Sequence, residues 1–248
     1  MVLLHSGVAD RRAWHPVAER LVPRLTLIAY DRRGFGDTGP ATSPFSHLED
    51  LAAVLDAVAV GPVWLAGSSA GGGLALDATV AFPHQVAGLV LFAPAVSGAP
   101  PAAPEHLDAA TLRLDAEREA SLARGDLSEV NRLDAWLWLD GPGQPEGRIG
   151  GAVRILALEM NAAILRNLRP QLVRPNGIQA WPRLSELAVP VTVVCGDLDV
   201  PFLRQRCGDL AQRLPAGRLV IQPGTAHAPY LEQPAAVAEL LVEAITSP

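Results

Sequence analysis

The segment V-W-L-A-G-S-S-A-G-G-G (Val63–Gly73) carries the strongest structural signal in this sequence. Its first four residues, Val63–Ala66, are apolar, which is typical of a buried strand, and the small residues from Gly71 onward are compatible with a tightly packed helix. Gly67-Ser68-Ser69-Ala70-Gly71 lies between them. A strand, a sharp turn and a helix in this order are the setting in which a serine hydroxyl is exposed as a nucleophile.

Two serines compete for that position. The residues two before and two after the nucleophile must lack bulk, because strand and helix pack closely across the turn. Gly67 and Gly71 meet this requirement around Ser69, whereas Ser68 would have alanines at both positions. Ser69 is therefore the predicted nucleophile. A Gly/Ser-rich turn without chemistry is the alternative interpretation, and other residues must decide between the two.

The rest of the chain predicts an α/β fold with a doubly wound, mostly parallel sheet, because short apolar runs alternate with stretches of helical spacing. The predicted strands are Val2–His5, Leu25–Tyr30, Val63–Ala66, Gly88–Phe92, Val191–Cys195 and Arg218–Ile221. The predicted helices are Ala13–Leu21, Leu48–Val58, Gly71–Ala81, Leu203–Leu214 and Pro234–Ile245.

This alternation stops between the fourth and fifth predicted strands. A linker rich in Pro and Ala at Gly98–Pro104 leads into charged segments with helical spacing and no strand signal. We therefore expect residues 1–96 and 182–248 to form the core and residues 97–181 to form an inserted helical lid.

Composition excludes several classes of protein. The 248 residues are 49% apolar, enough for a large core, and the net charge of -6 disfavours binding to nucleic acid. No apolar run is long enough to span a membrane, and the first residues lack the features of a secretory signal, so a cytoplasmic location without membrane association is expected. All 20 basic residues are arginine, which excludes lysine-dependent cofactor chemistry. The two cysteines, Cys195 and Cys207, show no metal-ligand spacing and are expected to be free thiols.

A serine nucleophile needs a histidine base and usually a carboxylate that orients it. His227 follows the last predicted strand, and open α/β sheets build their sites at the carboxyl ends of strands. Asp197 and Asp199 follow the strand before it, and either gives the chain order Ser, Asp, His. Asp199 is preferred because Asp197 is better placed to brace the turn. His5 also ends a strand and is expected to brace a loop.

These motifs together resemble the α/β-hydrolase superfamily, in particular its lidded bacterial esterase, lactonase and cofactor-free haloperoxidase-like members. The resemblance rests on these segments: Leu3-Leu4-His5-Ser6-Gly7, Tyr30-Asp31-Arg32-Arg33-Gly34-Phe35-Gly36, the turn at Ser69, Gly196-Asp197-Leu198-Asp199-Val200-Pro201, Gly224-Thr225-Ala226-His227 and Leu231-Glu232-Gln233-Pro234. It implies Asp199 as the acid, His227 as the base, and the backbone N–H groups of Gly7 and Ala70 as the oxyanion hole. It also implies that the Tyr30–Gly36 segment is a structural turn without a catalytic role.

The sequence departs from the family pattern in two places. The family usually has His-Gly where this chain has His5-Ser6. Family members also carry an edge hairpin before the first strand predicted here, and the sequence begins directly at that strand. The expectation is a shortened start, with the Leu25–Tyr30 strand at an unprotected edge of the sheet.

The predicted function is a serine hydrolase that cleaves a small ester or lactone through an acyl-enzyme, with no cofactor and no metal. A small-molecule substrate would bind under the lid, where Trp136, Trp138 and Met160 are the candidate substrate-binding residues. A haloperoxidase-like or carbon-carbon-bond hydrolase on the same triad is one alternative, and a non-catalytic ligand-binding protein is another. The sequence leaves the oligomeric state open.

Overall fold

A six-stranded parallel sheet forms the centre of the computed structural model, which describes residues 1–58 and 61–246. The strands are β1 (Val2–Leu4), β2 (Ile28–Ala29), β3 (Val63–Ser68), β4 (Val86–Phe92), β5 (Val191–Gly196) and β6 (Gly217–Gln222). Their order across the sheet is β2-β1-β3-β4-β5-β6, and every pair of neighbours is parallel. The predicted fold class is confirmed.

The α-helices connect these strands and continue to the end of the described chain. They are α1 (His15–Leu21), α2 (His47–Val58), α3 (Ala70–Ala81), α4 (Ala109–Ala123), α5 (Leu127–Ala135), α6 (Gly151–Asn167), α7 (Pro201–Arg213), α8 (Pro229–Glu232) and α9 (Pro234–Thr246). The predicted helix over Ala13–Leu21 begins with a 3-10 turn at Arg11–Trp14 and continues as α1. Sequence reasoning missed the short α8.

Helices cover both faces of the sheet, as the near-continuous apolar strands require. Successive residues of a strand point to opposite faces, so Leu89 and Leu91 of β4 pack in the core under α2, α3 and α7. Val90 and Phe92 pack in the second core, under α1 and α9. The sheet is therefore buried on both faces, so a functional site can form only in the loops at the strand ends.

The strand order places the functional loops. The chain moves from β1 outward to β2, then crosses to β3 on the other side of β1. The carboxyl ends of strands at such a reversal form a crevice where open α/β sheets bind ligands. The loop that begins at His5 and the turn at Ser69 both lie at this reversal.

The predicted second strand, Leu25–Tyr30, is shorter in the structure than expected. Ile28–Ala29 alone pairs with β1, at the edge of the sheet. The edge position agrees with the sequence-based expectation, and the shortness limits the unpaired backbone that the edge presents.

Residues 97–181 contain α4, α5 and α6 and add no strand to the sheet. A π-helical turn at Trp136–Asp140 follows α5 directly. In the described part of the chain, no helix is long and apolar enough to span a membrane.

Candidate active site

Ser69 occupies a strained turn between β3 and α3. Its φ is 51° and its ψ is -115°, a conformation that residues with a side chain rarely adopt. Its backbone is held from both sides, because its N–H donates to the carbonyl of Phe92 at 2.8 Å and its own carbonyl accepts from Ala95 at 2.9 Å. The strain is therefore maintained by the surrounding strands and loops, and the side chain remains half-buried at the strand end.

The glycines around Ser69 are required by close packing, as the sequence pattern predicts. A Cβ on Gly67 would lie 2.5 Å from the carbonyl oxygen of Gly71. A Cβ on Gly71 would lie 2.5 Å from the carbonyl oxygen of His5. Ser68 has a different role: it is fully buried at the end of β3, and its hydroxyl donates to the Tyr230 oxygen at 3.3 Å.

His227 and Asp199 meet at the carboxyl ends of β5 and β6. Nδ1 of His227 lies 2.9 Å from Oδ2 of Asp199, and both side chains are buried. Since the carboxylate accepts, Nδ1 carries the proton and Nε2 is left as the nitrogen that can take up another. Asp199 is itself oriented, because its Oδ1 accepts from the N–H of Val200 at 2.7 Å.

Asp197, the other candidate acid, braces the neighbouring loop instead. Its Oδ1 accepts from the N–H of Gly224 at 2.7 Å, which ties the turn after β5 to the turn after β6. The structure therefore brings Asp199 to His227 and leaves Asp197 in the turn.

His5 and Arg32 fix the loop that contains Gly7. Nε2 of His5 accepts from the backbone N–H of Arg32 at 3.1 Å, so its Nδ1 carries the proton and donates to the carbonyl of Ser6 at 2.9 Å. The Arg32 guanidinium donates to the same carbonyl at 2.9 Å. Burial, together with the charge of Arg32, holds the pKa of His5 well below its usual value, so this histidine is a neutral brace.

The segment around Asp31 is a structural turn, as the family resemblance implies. Asp31 accepts from the backbone N–H groups of Arg11 at 2.8 Å and Asp37 at 3.0 Å, and it also pairs with the Arg11 guanidinium. Together with Arg32, these contacts hold the loops beside the crevice, which is the bracing role that the resemblance implies for this segment.

Two cavities lie at the strand ends, and Trp138 lines both. The smaller one, of about 30 Å³, also contacts Ser6, Met160 and His227. The larger one, of about 520 Å³, contacts Ser69 and continues along Pro94 to Ser97. The Trp138 ring lies 4.8 Å from the His227 ring, and its carbonyl accepts from the N–H of His227 at 3.2 Å.

Trp136, which is predicted to bind substrate together with Trp138 and Met160, lies away from these cavities. Its indole N–H donates to the carbonyl of Gln144 at 2.9 Å, and its ring lies under the guanidinium of Arg113. The physical reason is helical geometry: residues two apart on a helix point to roughly opposite sides, so Trp136 and Trp138 do not face the same cavity.

Sequence reasoning missed an arginine that joins residues 97–181 to the histidine loop. Arg148 donates to the carbonyls of Leu139 at 2.8 Å and Gly224 at 3.1 Å, and it pairs with the Glu232 carboxylate at 2.5 Å. Glu232 in turn accepts from the N–H of Ala226, next to His227, at 2.8 Å. Glu232 lies within the motif Leu231–Pro234, one of those that carry the family resemblance. The sequence around Arg148 contains no motif that would predict its contacts.

Comparison with known proteins agrees with this fold. The model of the alpha/beta hydrolase family matches residues 1–240, so the chain belongs to that family. It is 29% identical to a pimeloyl-[acyl-carrier protein] methyl ester esterase from Edwardsiella ictaluri, over 94% of this chain and 88% of the relative.

Two solved structures share the fold. One is a thermophilic esterase from Thermogutta terrifontis, with a TM-score of 0.73, 22% identity and coverage of 98% of this chain and 88% of that one. The other is a bromoperoxidase from Bacillus anthracis, with a TM-score of 0.77, 18% identity and coverage of 99% and 91%.

Proposed function

We propose that this protein is a serine hydrolase that cleaves small esters or lactones, with Ser69 as nucleophile, His227 as general base and Asp199 as the group that orients His227. The observation that carries the proposal is the buried hydrogen bond of 2.9 Å between His227 and Asp199. It lies at the carboxyl ends of the strands, where Ser69 also lies in a strained turn. The ester-cleaving relative supports the choice of substrate class.

The chemistry proceeds in two halves. Ser69 attacks the substrate carbonyl while Nε2 of His227 takes the hydroxyl proton, which gives a tetrahedral intermediate. That intermediate collapses when His227 returns the proton to the leaving alcohol, and the acyl group stays on Ser69. Water then attacks the acyl-enzyme with His227 again as base, and the acid is released. The Asp199 carboxylate stabilises the imidazolium that forms in each half.

We assign the oxyanion hole to the backbone N–H groups of Gly7 and Ala70. The peptide bond between Ser6 and Gly7 is trans, so the carbonyl of Ser6 and the N–H of Gly7 point in opposite directions. His5 and Arg32 hold that carbonyl on their side, which turns the N–H of Gly7 away from them. Ala70 is the first residue of α3, where the N–H has no partner within the helix. Each such donor is worth about 3 kcal/mol to the transition state.

The Ser6 departure from the family pattern fits this loop. Neither Ser6 nor Gly7 has a positive φ, so the backbone conformation does not require glycine at position 6. A Cβ on Gly7 would lie 3.9 Å from the Cβ of Ala70, which places the two donors on neighbouring backbone segments.

Residues 97–181 act as a lid in this proposal, and the two cavities have different roles. The alcohol must leave before water attacks the acyl-enzyme, and the larger cavity beside Ser69 suits that exit. We assign the acyl group to the smaller cavity because its lining is mostly apolar and includes His227. Ser69 does not line this cavity, so the acyl chain reaches it from Ser69 past Trp138, which lines both cavities. At about 30 Å³ the smaller cavity has room for little more than a water molecule, so a substrate enters only after the lid residues around Trp138 move.

The test is hydrolysis of p-nitrophenyl esters of short and medium chain length, with a fluorophosphonate as covalent probe. The wild-type protein should turn over and be labelled, and Ser69→Ala should do neither. Ser68→Ala is the matched control: it removes the adjacent buried hydroxyl and should keep both activity and labelling. A folded wild-type protein that neither turns over nor is labelled would overturn the proposal in favour of a non-catalytic binding protein.

A further inference from the structure

The smaller cavity has one polar end. Its walls are mostly apolar, but Asn131, Asp134 and Asn161 also line it, on the two helices α5 and α6. Asp134 and Asn161 are buried, at 2% and 5% exposure. Polar side chains in such a place carry a large desolvation cost unless they are hydrogen-bonded, so their partners show what they can still bind.

The orientation of the Asn161 amide is determined by its neighbours. One of its contacts is the Asp134 carboxylate at 2.9 Å and another is Oδ1 of Asn131 at 3.0 Å. Both are acceptors, so the side of the amide that faces them must be the NH2 group. Asn131 is oriented in the same way, because its Nδ2 donates to the carbonyl of Leu158 at 3.0 Å.

This network leaves an acceptor and a donor without partners. Within the described residues, Oδ1 of Asn161 accepts no hydrogen bond, and Asn131 uses one of its two amide hydrogens. Both oxygens of Asp134 are engaged, since the one that does not contact Asn161 pairs with Arg118 at 2.5 Å. Arg118 compensates the charge of Asp134, and the free Asn161 oxygen needs a donor, which a carboxylate does not have.

We propose that this polar end recognises a neutral hydroxyl or amide group on the acyl part of the substrate, with Asn161 as acceptor and Asn131 as donor. Such groups both donate and accept, which matches the two free positions, whereas an alkyl chain would leave both unpaired. A carboxylate cannot donate to Asn161, and it would bury a charge in a mostly apolar cavity. The inference rests on the proposed function, since it assigns the acyl group to the cavity between His227 and Met160.

The experiment compares kcat/KM for matched methyl esters, followed by acid release in a pH-stat. The pairs are methyl butanoate with methyl beta-hydroxybutanoate, and methyl hexanoate with its terminal-hydroxy derivative; monomethyl adipate is the carboxylate probe. The quantity measured is the ratio of kcat/KM for the hydroxy ester to that for the plain ester. This ratio is independent of the fraction of active enzyme, so it tolerates a partly unfolded variant.

In at least one pair, the wild-type ratio should exceed that of Asn161→Leu by about fivefold, the size expected for one net hydrogen bond. Asn176→Leu is the matched control. Asn176 also donates through Nδ2 to a buried aspartate, Asp77 at 2.7 Å, but it lies outside the smaller cavity, so its ratio should equal that of the wild type. Monomethyl adipate should be the poorest substrate of the hexanoate set.

The inference is overturned if the wild-type ratios are no higher than those for hydrolysis by hydroxide, a result that does not depend on whether Asn161→Leu folds. Equal ratios in wild type and Asn161→Leu would overturn it as well. A failure of the proposed function looks different, because Ser69→Ala would then hydrolyse these esters as fast as the wild type.

Discussion

Arg148 links residues 97–181 to the loop that carries His227, and its replacement by methionine tests how much that link contributes. Methionine keeps most of the apolar stem and removes the guanidinium. Four contacts would be lost: those to the carbonyls of Leu139, Asp140 and Gly224, and the ion pair with Glu232. The side chain of Glu232 is 2% exposed, so its carboxylate would remain buried without a cationic partner.

The expected cost is about 3 kcal/mol of unfolding free energy. Removing one partner of a buried ion pair costs about 3 to 5 kcal/mol, and the lower end applies because the Arg148 side chain is 18% exposed and partly screened by water. For a domain of this size, that corresponds to a fall in Tm of about 6 to 12 °C. Hydrolysis should also weaken, because Glu232 holds the N–H of Ala226 beside the proposed base.

The cost should depend on pH. Burial already raises the pKa of Glu232 above its usual 4.5, and Arg148 opposes that rise. Without Arg148 the pKa rises further, so the folded state binds a proton more tightly than the unfolded chain does. Stability of the variant then falls as pH rises above about 4.5, and its deficit relative to the wild type shrinks as the pH is lowered.

Urea unfolding followed by circular dichroism at several pH values measures this difference. Arg183→Met is the control: Arg183 pairs with the exposed Glu186 at 2.7 Å, and its loss should leave the unfolding midpoint unchanged. The double variant Arg148→Met with Glu232→Gln should recover part of the lost stability, because no buried charge is then left unpaired. An Arg148→Met protein as stable as the wild type at neutral pH would refute the reasoning.

Three further predictions concern single residues. Asp199→Asn should lower kcat by about ten-thousandfold with the fold intact, since an amide favours the wrong tautomer of His227; a loss below tenfold would contradict its role. Gly67→Ala should lower the urea midpoint and abolish fluorophosphonate labelling, because its Cβ would lie 2.5 Å from a carbonyl oxygen of α3, whereas Gly143→Ala meets no atom within 4 Å and should change neither. Burial and neighbouring arginines lower the pKa of His47 to about 4, so stability should fall as pH drops from 6.5 towards 4, and His47→Gln should flatten that slope in pH-dependent urea unfolding.

Much of the fold followed from local patterns in the sequence. Each of the six strands was located, because a short apolar run bounded by Gly, Asp, Ser or Pro is a signal carried by adjacent residues. The positions of Ser69, Asp199 and His227 at the ends of three of these strands followed too, since the strand ends set where loops begin. The glycines at 67 and 71 were informative for the same reason: the turn places its steric demand on its own neighbours.

Contacts between distant parts of the chain were decided by tertiary packing. Whether Trp136 or Trp138 faces His227 depends on the rotation of one helical turn, which the neighbouring helices determine. The pairing of Arg148 with Glu232 joins residues 84 positions apart, and the Asn161 amide is oriented by residues 27 and 30 positions away. The spacing of residues along the sequence does not predict such contacts, because they form only when helices pack and buried polar groups must be hydrogen-bonded. The sequence by itself therefore determined the order of elements and the candidate triad, and the packed structure decided what surrounds it.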